Sequence, residues 1–126
     1  MEDQRPGAVA WVDLTVPEAE PVRDFYREVV GWEPSPVDMG GYDDFTMNLP
    51  GTDVAAAGVC HARGGNAGIP PQWLMYVTVA NLDASLARAT ALGGEIVKPA
   101  VVMSGQGRFA IVRDPAGAVC ALFEKA

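Results

Sequence analysis

Four side chains stand out as able to do chemistry: Asp13, His61, Tyr76 and Arg108. A carboxylate at Asp13 has the chemistry of a general base, Tyr76 or His61 that of an acid, and Arg108 that of a stabiliser for an enolate or oxyanion. The spacing does not require such a reaction. Asp13 and Arg108 are equally suited to pairing with each other as a buried ion pair, which stabilises little but makes loss of either partner costly. No nucleophile elbow of the G-x-S-x-G kind, no P-loop and no dinucleotide fingerprint occurs. Gly105-Gln106-Gly107-Arg108 lacks the strand-then-helix context that such a fingerprint needs.

Metal chemistry is disfavoured by the inventory of donors. Cations need several nitrogen, sulfur or oxygen ligands converging on one point. The chain has one histidine, His61, and no Asp or Glu between Asp53 and Asp83, so no two-histidine set exists within one subunit. Cys60 precedes His61, but neighbours on a strand point to opposite faces, so one ion does not readily see both. Cys60 reads as a core residue and His61 as a strand-end residue, with a ligand or proton-transfer role for His61 as the alternative. Asp43-Asp44 reads as a solvated loop.

The elements that must position these groups follow from periodicity. Residues 9–16, VAWVDLTV, alternate as a strand, with Val12, Leu14 and Val16 on one face and Trp11, Asp13 and Thr15 on the other. Val22, Phe25, Tyr26, Val29 and Val30 then fall on one face of a helix spanning Glu18 to Val30. Pro17 and Pro21 suit its entrance, Glu18 and Glu20 its positive end, and Gly31 its exit. The pattern is then written a second time. LMYVTV at 74–79 alternates, Asn81 suits an N-cap, and a helix carrying Leu82, Leu86 and Ala89 stops at Gly93-Gly94. The pairs Trp11/Leu74, Val16/Val79 and Gly31/Gly94 are all 63 residues apart, half of the 126-residue chain, so the unit is duplicated.

After each helix comes a short strand, WEPSP in the first copy and EIVKP in the second, and then a hairpin. FTMN and VAAAGVCH flank Leu49–Thr52, and RFAIVR and AVCALFE flank Asp114–Gly117. The expected fold is α+β: two βαβββ modules forming a curved, cavity-enclosing mixed β-sheet with helices on the outer face. Module one covers about residues 7–61, a hinge about 62–72, and module two about 73–126, together one domain. If Leu14 and Val16 pack on the helices, the cavity face carries Trp11, Asp13, Thr15, Leu74, Tyr76, Thr78, Ala121 and Phe123, joined by Phe45, Met47, Met103, Arg108 and His61. Trp73, just before the fifth strand, reads as either a pocket wall or an interface residue.

Composition narrows the function classes. Nine Lys and Arg against 16 Asp and Glu give a net charge of −7. A chain this acidic repels phosphate backbones, and nucleic acid is excluded as a partner. No apolar stretch approaches the roughly 18 residues of a membrane helix. The polar, acidic N-terminus does not read as a secretory signal, and two cysteines read as reduced thiols, so the expectation is a cytoplasmic protein.

The duplicated pattern, with W-V-D-L-T-V at 11–16, D-F-Y-R-E-V-V-G-W at 24–32, N-L-D-A-S-L at 81–86, A-L-G-G at 91–94 and D-P-A-G-A-V at 114–119, resembles the vicinal-oxygen-chelate (glyoxalase/bleomycin-resistance/dioxygenase) superfamily over nearly the whole chain. Within it, the chain is similar to an actinobacterial glyoxalase-like subgroup. Many of that subgroup carry two such domains, and this chain is expected to be a single copy. The resemblance implies metal ligands at the first strand of each module and on a late strand of each. Here those positions hold Trp11, Leu74 and Ala121, with no carboxylate around residues 56–58 for the fourth. The expectation is therefore no metal and no cofactor, and a metal-independent protein binding an aromatic metabolite or antibiotic, with a metal-independent isomerase, lyase or cyclase as the alternative. The resemblance further implies a homodimer.

Overall fold

Each alternating stretch forms a strand and each 3.6-period stretch a helix in the computed structural model, which describes residues 4–126. Met1–Asp3, the front of the polar N-terminal segment, lie outside the described residues. The order is β1 (Val9–Val16), α1 (Ala19–Val30), β2 (Glu33–Asp38), β3 (Asp43–Asn48), β4 (Ala55–His61), a 3₁₀ turn (Gly64–Asn66), β5 (Trp73–Thr78), α2 (Leu82–Ala91), β6 (Glu95–Met103), β7 (Gly107–Arg113) and β8 (Val119–Lys125). The chain divides into two compact units, one Val12–Trp73, the other Leu74–Ala126 with the segment ending at Trp11.

Both units have the same internal topology, and the fold class is α+β. In the first the strands lie in the order β2-β3-β4-β1, with β1 parallel to β4 and the other pairs antiparallel. In the second the order is β6-β7-β8-β5, with β5 parallel to β8 and the rest antiparallel. A parallel pair needs a long crossover, and each unit supplies it with a helix and two further strands.

Helix α1 begins at an extended Glu18 and ends where Gly31 takes a left-handed φ of 87° and donates its N–H to the Arg27 carbonyl. Glycine adopts that conformation without the steric cost a Cβ brings. Ala19 is fully buried, and Val22 and Tyr26 pack on a core of Leu14, Val16, Phe45, Met47 and Val59. Phe25, Val29 and Val30 share the expected apolar face yet stay 55%, 65% and 50% exposed, so only part of that face is covered. Helix α2 is capped as anticipated: the Asn81 side chain accepts the Ala84 N–H at 3.0 Å, and Leu82 is fully buried.

Register decides which side chains share a face, and it corrects two sequence expectations. Leu14 is paired with Val59, and Val59 with Phe45, so the three form one row. Leu14 faces α1, and Phe45 must do the same; Arg23 of α1 lies over the Phe45 ring at 4.7 Å. Met47, two residues on, points the same way and is fully buried. Phe45 and Met47 are thus helix-side core, not the cavity contacts expected. The second correction concerns Asp43-Asp44, which opens β3 instead of lying in a loop, with Asp44 buried.

Candidate functional site

The expected site residues of the first unit separate onto two faces. On the face opposite α1, Asp13 and Cys60 meet: the thiol lies 3.5 Å from each Asp13 carboxylate oxygen and donates to them. Burial, then the negative charges of Asp13 and Asp44, push the Cys60 thiol far up, so it stays protonated at neutral pH. Burial raises the Cys120 thiol as well, helped by Asp114. Neither cysteine is a ready nucleophile. Thr15, paired with Cys60, is buried on this same face.

His61 ends β4 and lies elsewhere. Its partner across the ladder is Val16, which places it on the α1 face, contrary to the expectation of a cavity contact. The ring is buried with Nε2 3.0 Å from Glu20 Oε1 and Nδ1 3.4 Å from Asp44 Oδ1. Asp44 Oδ1 also accepts the His61 backbone N–H at 2.8 Å, and Tyr42 meets the ring edge-on. The imidazole thereby links the first turn of α1 to the ends of β3 and β4. Nothing in the sequence separates Asp44 and Glu20 from the other acidic residues, and only register brings them to His61.

In the second unit Tyr76, Ala121 and Ile111 form one row and Thr78, Phe123 and Phe109 the next. The Tyr76 and Phe109 rings lie 5.9 Å apart. Leu74 and Thr78 are almost wholly buried, and among the described residues the Thr78 hydroxyl has no hydrogen-bond partner. Trp11 and Met103 are half-buried, the latter at the end of β6 opposite Gly107.

Arg108 corrects a further expectation. It pairs in register with Glu124, and the Ala110–Leu122 pair lies next to it on the same face, opposite to Phe109 and Phe123. Its guanidinium is engaged there by Glu124 Oε1 at 3.0 Å and Asp83 Oδ1 at 3.3 Å. Glu124 Oε2 in turn accepts the Leu82 N–H at the N-terminus of α2. Arg108 is a strut for α2, paired with these two carboxylates, whereas the sequence left open a pairing with Asp13 or a chemical role.

These ties carry a pH dependence. The Leu82 N–H and then Arg108 hold the Glu124 carboxyl below its ordinary value of 4.5, and a backbone N–H and then His61 do the same for Glu20. A carboxyl depressed in the folded state contributes stability above its unfolded pKa and loses it as pH falls through the folded one. Stability is expected to hold down to about pH 4.5 and then fall, with Glu20→Gln and Glu124→Gln each flattening the fall. Urea titrations at pH 7, 4.5 and 3 check this; unchanged slopes in both variants contradict it.

A cleft of about 440 Å³ opens on the α1 face of the first unit, lined by Leu14, Val16, Phe25, Tyr26, Gln72 and Trp73 among others. Trp73 is a wall of this cleft, which lies on the α1 face and is not the cavity expected on the other face of the sheet. Its indole Nε1 donates to the Tyr26 hydroxyl at 2.9 Å, and the two rings meet edge-on.

The residues do not fit the metal that the superfamily resemblance implies. Leu74 and Ala121 offer buried hydrocarbon at ligand positions, Trp11 offers an indole, and both nitrogens of the single imidazole face carboxylates on opposite sides of its ring. Among the described residues no group of three or more His, Cys, Asp or Glu side chains is placed to hold a metal ion.

Comparison with known proteins agrees with this architecture. The family model of the Glyoxalase/Bleomycin resistance protein/Dioxygenase superfamily matches residues 8–122. The chain belongs to that superfamily. It is 34% identical over 133 residues to the anthracycline biosynthesis protein DnrV of Streptomyces peucetius, with 95% of this chain and 48% of that protein covered. The Mycobacterium tuberculosis protein CFP32, which bears a provisional glyoxylase name, is 32% identical over 124 residues, covering 97% of this chain and 47% of that one. The chain thus spans about half the length of these curated relatives. Among solved structures, a methylmalonyl-CoA epimerase from Streptomyces coelicolor shares the fold with a TM-score of 0.53 at 14% identity, covering 96% of this chain and 99% of that one. No helix among the described residues is long and apolar enough to cross a membrane.

Proposed function

We propose that this chain is a metal-independent small-molecule-binding protein that sequesters or carries an aromatic metabolite or antibiotic. The observation that supports the reading most directly is the donor chemistry: hydrocarbon and indole at Leu74, Ala121 and Trp11, where a chelating member needs imidazole and carboxylate. The proposed contacts are Trp11, Leu74, Tyr76, Thr78, Ala121 and Phe123, all within one unit. Thr78 adds a buried hydroxyl with no partner among the described residues, a hydrogen-bonding group in apolar surroundings. The likeness to a protein named for anthracycline biosynthesis favours a polycyclic aromatic ligand. In this reading the protein works in the cytoplasm as a homodimer.

A thermal-shift screen against aromatic natural products tests the proposal. A true ligand at a hundred times its Kd adds about 2.7 kcal/mol of apparent stability, enough for a clear rise in Tm. Tm values unmoved across the screen, or stoichiometric metal in the purified protein with binding lost on chelation, count against it. The enzymatic alternative loses Arg108, whose charge is committed to α2.

A further inference from the structure

We infer that the cleft on the α1 face of the first unit is itself a binding site, built for a planar, carbonyl-bearing aromatic compound that is uncharged or cationic. The inference rests on the small-molecule reading above and adds to it a site within the first unit, against α1. Three observations carry it.

The first is the donor at Tyr26. Its hydroxyl oxygen accepts from Trp73 Nε1, and among the described residues its own hydrogen meets no acceptor. A hydroxyl oriented through its acceptor side, with its donor side open, is a preorganised contact for a ligand carbonyl. The second is the lining. None of the nine residues around the cleft is charged, and Phe25, Tyr26 and Trp73 supply three aromatic rings, two of them in edge-on contact with Tyr26. Rings held in this way offer faces and edges to a flat π-system, and Phe25, more than half exposed, leaves room for one. The third is charge. A protein carrying −7 at neutral pH disfavours anions near its surface, and the uncharged lining provides no cation to offset that. The volume of about 440 Å³ falls within the range of small-molecule sites, roughly 300–1,000 Å³.

The test is quenching of tryptophan fluorescence by 1,4-dihydroxyanthraquinone, with anthracene (no carbonyl) and anthraquinone-2-sulfonate (anionic) as comparison probes. Saturable binding of the uncharged quinone is expected, with both comparison probes weaker. Tyr26→Phe should weaken it about tenfold, the value of one good hydrogen bond to a ligand. Phe25→Ala, at an exposed position that leaves folding intact, should weaken it by a similar factor. Thr15→Val, on the opposite face of the same unit, should leave it unchanged. Absence of saturable quenching overturns the cleft assignment, while the broader reading is judged by the thermal-shift screen. Weakening by Thr15→Val with none by Phe25→Ala also overturns the cleft and moves the ligand to the other face.

Discussion

Gly107→Ala is expected to lower unfolding free energy by about 3 kcal/mol or more. Gly107 has a φ of +146°, and a Cβ built there lies 2.0 Å from the Glu124 carbonyl oxygen and 2.9 Å from the Lys125 Cα. Both are backbone atoms of β8, so no side chain can swing aside; relief requires the β7–β8 ladder to open. That ladder also aligns Arg108 with Glu124, so the damage reaches the tie that seats α2. Gly105→Ala is the control. It shares the positive-φ strain, at 77°, but no atom of the described residues lies within 4 Å of its Cβ, and a cost of about 1 kcal/mol is expected. Urea unfolding of both variants checks the contrast; equal small losses contradict the account.

Met47→Ala is expected to lower stability by about 2–5 kcal/mol without loss of a ligand contact. Met47 is fully buried beside Leu14, Val59 and Phe45, and truncation leaves a void that α1 and the sheet relax only partly to fill. Val102→Ala, at a position 74% exposed, should stay within about 0.5 kcal/mol. Chemical denaturation of the two side by side decides it. A Met47→Ala protein of near-native stability with impaired ligand binding returns Met47 to the role first read for it.

The contrast between these residues shows what was legible in the chain. Periodicities of 2 and 3.6 marked the strands and helices, and the repeated spacing of Trp11/Leu74 and Gly31/Gly94 revealed the duplication, because local patterns follow directly from backbone geometry. Facing was legible along one strand but not across a hairpin. Phe45 and Met47 alternate as well with the cavity as with the core, and only the pairing of Phe45 with Val59 and Leu14 fixes which. The same blindness hid the Glu20–His61–Asp44 linkage, whose members are far apart in sequence, and the pairing of Arg108 with Asp83 and Glu124. The lack of a second histidine was legible from composition alone, since a side chain the chain does not contain cannot be supplied by folding. The Tyr26–Trp73 contact was not, because it joins a helix to the start of a strand 47 residues away.

The pairing of β1 with β4 and of β5 with β8 constrains how the protein is born. The opening strand of each unit finds its parallel neighbour only when the closing strand of that unit has been synthesised, so Leu14 waits for Val59 and Tyr76 for Ala121. On a ribosome the first unit can close only after its last residues, up to Trp73, have cleared the exit tunnel, by which point part of the second unit has already been synthesised.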